Sequence, residues 1–145
     1  MEYRGDKMSN ENFSEKVSVN INTSTLSSID LLVDNGYYSN RSDFINQALR
    51  EGLQKHQNTI DRIIDKKTEF NNTSPNQWFI GVYGFEKQEI EKAKNQGREI
   101  HISGYGVLVI DKNIDDDLLF EVVRTIKVKG RVVCKKNIKE HYGLK

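Results

Sequence analysis

Cysteine, proline and tryptophan each occur once in the 145 residues, and methionine twice. A lone cysteine, Cys134, excludes an internal disulfide and fits a reducing cytoplasm. No apolar run approaches a membrane span, and residues 1–13 lack the apolar core of a secretory signal. An excess of one charge is missing too. The net value is +1, so whole-chain electrostatics argue neither for nor against a nucleic-acid partner. No nucleophile–base–orienter set, glycine-rich phosphate loop or convincing carboxylate pair emerges, so catalysis is not expected. Asp115, Asp116 and Asp117 read as a helix start. His101, Cys134 and His141 are the only soft ligands in the second half, and no two lie at close ligand spacing. Neither a metal nor another cofactor is expected.

Against these absences stands one short patterned stretch. Val17, Val19 and Ile21 alternate strictly with Lys16, Ser18 and Asn20, the period of a strand with one apolar and one polar face. Residues 1–15 read as a polar, flexible arm, and the pattern downstream turns helical at once, so no neighbour offers a hairpin partner. An isolated strand leaves its backbone donors and acceptors unpaired. The economical partner is the same strand of a second chain, which predicts an obligate homodimer.

Two helices follow. Residues 22–25 hold several possible N-caps, and Leu26, Ile29, Leu32 and Val33 repeat at helical spacing until Asn35-Gly36. Ser39 is the expected cap of the second helix, whose apolar stripe is Phe44, Ile45, Ala48, Leu49 and Leu53. Neither helix buries its stripe alone, whereas two copies build one core from Val17, Val19, Ile21, Leu26, Ile29, Phe44, Ile45, Ala48 and Leu49.

The alternating strand, the Gly36-Tyr37 turn and Ser39-Asn40-Arg41-Ser42, in this register, resemble the ribbon-helix-helix module of CopG/NikR-type DNA-binding regulators over residues 16–55. The resemblance implies that the N-terminal module forms an intertwined dimer; the strand and helix patterns of residues 77–145 add a small α/β C-terminal domain, so the expected class is α+β. It implies that the two-stranded ribbon enters the major groove with Lys16, Ser18 and Asn20 facing base edges. Those side chains suit guanine, either hydrogen-bonding sense, and adenine respectively. It places the phosphate contact at Ser39, Asn40, Arg41 and Ser42, where a helix start offers free N–H groups. Within the module, Lys16, Arg41, Arg50 and Lys55 are balanced by Asp30, Asp34, Asp43 and Glu51, so modest nonspecific affinity is expected.

Beyond the module the helical stripe runs on through His56, Ile60, Ile63 and Ile64 toward Phe70, as one long helix or two with a bend near residues 52–57. His56 is expected to pack. The polar residues 71–76, with the only proline, make the expected boundary, so residues 56–76 form a helical extension and linker. In residues 77–145 the reading is a buried strand at 78–83, a helix at 86–96 and strand material at 98–110 broken at Gly104 and Gly106. A helix at 115–124, a strand at 125–134 and a short helix at 137–142 follow. A weak internal echo sets residues 100–104 beside residues 126–130, each leading to Lys-Asn-Ile at Ile114 and Ile138. The acidic 111–121 and basic 124–145 stretches read as solvated, complementary faces, with a second nucleic-acid contact as the lesser reading.

The expected function is a cytoplasmic, prokaryotic, sequence-specific repressor. Its partners are a double-stranded DNA operator and a second copy, with tetramers open. Residues 77–145 are expected to hold an effector or drive assembly, with no membrane involved. The alternatives are an antitoxin, whose second half would bind a toxin, and a plasmid-partition or architectural protein.

Overall fold

The computed structural model describes residues 13–73 and 76–145. It contains α1 (Thr23–Asp34), α2 (Arg41–Lys55), α3 (Gln57–Thr73), β1 (Asn76–Phe85), α4 (Lys87–Asn95), β2 (Ile100–Ile110), α5 (Asp116–Val122), β3 (Val123–Val133) and α6 (Lys136–Tyr142). Two compact units result, Ser14–Asp65 and one containing Lys66–Lys145, and the division falls inside α3. The bounds expected from sequence are an arm at 1–15, a module at 16–55, a linker at 56–76 and a domain at 77–145. Residues 1–12 of that arm lie outside the described residues.

In the first unit, the Asn22 side chain accepts from the Ser24 N–H and so opens α1. Its end is a left-handed turn at Gly36 (φ 80°), with the Tyr37 N–H reaching back to the Leu32 carbonyl at 3.0 Å. The cap of α2 is Asn40 rather than Ser39: the Asn40 side chain accepts from the Asp43 N–H at 2.8 Å. Asp43 in turn accepts from the Ser39 N–H at 3.0 Å, so the serine contributes its backbone and not its hydroxyl. The stripe that continues past residue 53 is two helices. The break is at His56, whose N–H donates to the carbonyls of Leu53 and Gln54. His56 is exposed there and is not packed as expected.

The second unit is a three-stranded parallel sheet in the order β1-β2-β3. Parallel neighbours need long crossovers, and α4 and α5 supply them. Ile90 and Ala93 of α4, Leu119 and Val122 of α5 and Ile138 of α6 pack with Phe85, Ile102, Leu108, Ile126 and Val132 in one core. All three helices therefore serve the same face. Residues 78–83 are accordingly not a fully buried strand: β1 lies at the sheet edge, and Ile80 on its other face is 51% exposed.

β2 also corrects the sequence reading, since it runs unbroken through Gly104 and Gly106. The reason is a row of glycines. Gly81, Gly106 and Gly130 are aligned across all three strands, each with positive φ (97°, 123° and 143°). A Cβ on Gly106 would run into the Gly81 carbonyl, and one on Gly130 into that of Gly106. The echo is thus in a different register, pairing Gly106 with Gly130, and it has three members. Glycine recurs at 81, 106 and 130 and a fully buried isoleucine at 90, 114 and 138.

The helix expected at 115–124 ends at Val122, and Arg124 stands in β3, where it pairs with Glu99 at 2.9 Å. The acidic and basic stretches meet within the chain where Lys135 pairs with Asp116, while Glu121 pairs with Lys94 of α4 at 3.3 Å.

Candidate nucleic-acid interface

Residues 16–20 are assigned to neither helix nor strand, so the strand expected there is not formed in a single copy, and among the described residues they have no strand partner. Lys16, Ser18 and Asn20 are exposed, and so are Val17 (76%) and Val19 (71%), which alternate with them. Ile21 is half-buried. A single copy therefore leaves both faces of this segment in water. The apolar face costs free energy there, at roughly 25 cal/mol per Å² left uncovered.

The helices show the same incompleteness. Ile29 is buried in α1, while Leu26, Phe44 and Ile45 are half-buried, and Tyr38 packs edge-on against Phe44 with ring centres 4.9 Å apart. No residue of α2 is buried. Its stripe faces solvent: Ala48 is exposed, Leu49 is 59% exposed and Leu53 is 60% exposed. Val17, Val19, Leu49 and Leu53 thus form unpartnered apolar surface within one small unit, more than scattered surface leucines require.

At the start of α2, Ser39, Asn40, Arg41 and Ser42 are all exposed. With the Asp43 N–H taken by the Asn40 side chain, the N–H groups of Arg41 and Ser42 have no acceptor among the described residues. These two orphan donors and the positive helix end make an anion-binding corner. The Arg41 guanidinium does not add to it. It is held by Asp30 of α1 through two hydrogen bonds of 2.7 and 2.8 Å, a bidentate fork. The hydrogen bond from Arg41 holds the Asp30 carboxyl below its ordinary range, and Asp30 raises the guanidinium in return.

The soft ligands named from sequence do not converge. The His101 ring meets Thr125 Oγ1 at 2.9 Å, His141 stacks on Phe120 at 3.8 Å, and burial pushes the Cys134 thiol above its ordinary value. Among the described residues no three metal-ligating side chains gather.

The model of the ribbon-helix-helix transcriptional regulator family matches residues 12–139. The chain belongs to that family. The match extends far beyond the segment that carried the resemblance, so the second unit is part of what defines the family. No curated protein and no solved structure matches the chain. Among the described residues, no helix of this regulator is long and apolar enough to cross a membrane.

Proposed function

We propose that this regulator is a homodimeric, sequence-specific repressor. Two copies of residues 16–21 pair as an antiparallel ribbon, which lies in the major groove of a double-stranded operator. What supports the reading is the exposure of Val17, Val19, Leu49 and Leu53 in a unit whose residues 16–20 have no strand partner among the described residues. A second copy satisfies both at once, burying the apolar edges and closing the backbone hydrogen bonds. Val17, Val19, Ile21, Leu26, Ile29, Phe44, Ile45, Ala48 and Leu49 then become the shared core.

In this dimer Lys16, Ser18 and Asn20 stand on the outer face and read base edges. Phosphates are held on either side by the N–H groups of Arg41 and Ser42, with the Ser39 and Asn40 side chains beside them. Arg41 serves the α1–α2 joint rather than the phosphate. Residues 1–15 act as an arm, residues 56–76 connect, and residues 77–145 receive an effector or extend the assembly. A self-sufficient core in that second unit favours this role over an antitoxin tail that orders only on its toxin.

Two variants test the reading. Asn20→Ala weakens operator binding by about 1–3 kcal/mol and leaves the dimer intact. Val19→Asp forces a charge into the shared core and abolishes the folded dimer, as measured by sedimentation and circular dichroism. Unchanged operator affinity in the first, or a folded monomer in the second, refutes the assignment.

A further inference from the structure

Parallel sheets are ordinarily covered on both faces, because their crossover helices pack there. In the second unit α4, α5 and α6 all lie on one face. The other face presents, in successive rows, Trp78, Ser103 and Lys127, then Ile80, Tyr105 and Lys129, then Val82, Val107 and Arg131. β1 contributes an apolar column and β3 a cationic one, with β2 between them. Tyr105 is 53% exposed, and Trp78 meets it edge-on with ring centres 6.5 Å apart.

A groove of about 540 Å³ opens here, within the range of small-molecule sites. Lys67 of α3, Trp78, Ser103, Tyr105, Lys127 and Lys129 line it, and no carboxylate does. Lys67, Lys127 and Lys129 have no ion-pair partner among the described residues, and the Ser103 hydroxyl has no hydrogen-bond partner there. Three ammonium groups without an ion-pair partner among the described residues, set around two ring faces, select a molecule with a flat aromatic part and a negative part. Compact ammonium groups suit phosphate oxygens, and Trp and Tyr suit a stacked base.

We propose that this groove binds a free nucleotide: one base lies against Trp78 and Tyr105, and its phosphates sit among Lys67, Lys127 and Lys129. On one side a longer single strand is disfavoured, because the next row, Val82, Val107 and Arg131, offers no ring for a second base. A second copy laid face to face is disfavoured by the cationic column each copy would bring. The inference rests on the reading of residues 77–145 as an effector-receiving unit, and names the effector's chemical class.

Trp78 is the only tryptophan, so the full-length protein reports binding by its own fluorescence. Titration with adenosine, guanosine, cytidine and uridine triphosphates should produce saturable quenching by at least one of them. The double change Lys127→Ala/Lys129→Ala should weaken it by about a hundredfold, and Arg131→Ala should leave it within about twofold. Tyr105→Ala should weaken it by about tenfold. Circular dichroism checks that each variant is folded. Four results overturn the proposal: no quenching by any nucleotide, competition by inorganic phosphate at equal concentration, affinity for oligothymidylate that grows with length, or quenching that depends on protein concentration alone. Operator binding measured on the same samples separates the two ideas. Retained operator binding with no nucleotide effect sinks only this inference, whereas absent operator binding sinks the regulator reading.

Discussion

At the scale of single residues, the most consequential pairing is that of Arg41 with Asp30. It engages the only guanidinium at the α2 start, and the carboxylate adds a negative charge beside the proposed phosphate contact. Asp30→Ala should therefore tighten nonspecific DNA binding and steepen its dependence on salt by about one counterion per subunit. Titrating binding against salt concentration checks this, and an unchanged slope means Arg41 was never available. A second residue-scale expectation concerns Tyr142, whose hydroxyl donates to the Val123 carbonyl at 2.6 Å. Burial pushes its pKa up to about 12 from 10.0. Burial, with Glu89 accepting its proton at 2.8 Å, raises Tyr83 as well. A raised pKa means the fold favours the neutral phenol, so this contribution is complete below pH 10 and disappears as pH climbs through about 12. Melting of the second unit should accordingly decline between these values. Tyr142→Phe should soften that decline while costing about 0.5–1.5 kcal/mol at neutral pH for the lost hydrogen bond.

At the scale of elements, the clearest expectation lies in the glycine row. Gly106→Ala combines a disfavoured φ with a collision against the Gly81 backbone, whereas Gly81→Ala meets the disfavoured φ alone, with nothing within 4 Å. The first should destabilise the second unit severely and the second by about 1–2 kcal/mol, as read from urea unfolding. Equal effects would mean that strain, not contact, governs both. The same row shows where sequence reading stopped. α1, α2, α4 and the strand segments were legible because caps, stop signals and apolar periods are local. Gly104 and Gly106 looked like strand breakers because their justification, a neighbouring backbone pressing from β1, is not local. The sheet face opposite α4, α5 and α6 was missed for a similar reason. Trp78, Ile80 and Val82 sit in a continuous apolar run, and only the one-sided helix placement reveals that alternate members face outward. The period-two series Lys127, Lys129 and Arg131 was the available signal, and it was absorbed into a general basic stretch. The Arg41–Asp30 fork joins two helices and leaves no trace in either one's pattern. In residues 16–21 the alternation of apolar and polar side chains was plain, because a period of two is local to the sequence.

At the scale of the whole molecule, the two units differ in what they need. The second has a continuous core of its own, while the first leaves its stripe open in a single copy. Thermal unfolding should therefore show two transitions. The one belonging to residues 14–65 should move upward as protein concentration rises, by mass action on the dimer. The one belonging to residues 66–145 should stay put. Tyr38 fluorescence is too weak for this, but Trp78 isolates the second transition, and circular dichroism follows both. Concentration-independent melting throughout would contradict dimer-dependent folding of the first unit. A different consequence follows from the glycine and isoleucine that recur on every rung. Stacked modules of this kind need about three copies to persist, which is the number present. Adding a whole rung with its own helix should therefore leave the unit folded, whereas deleting one should unfold it.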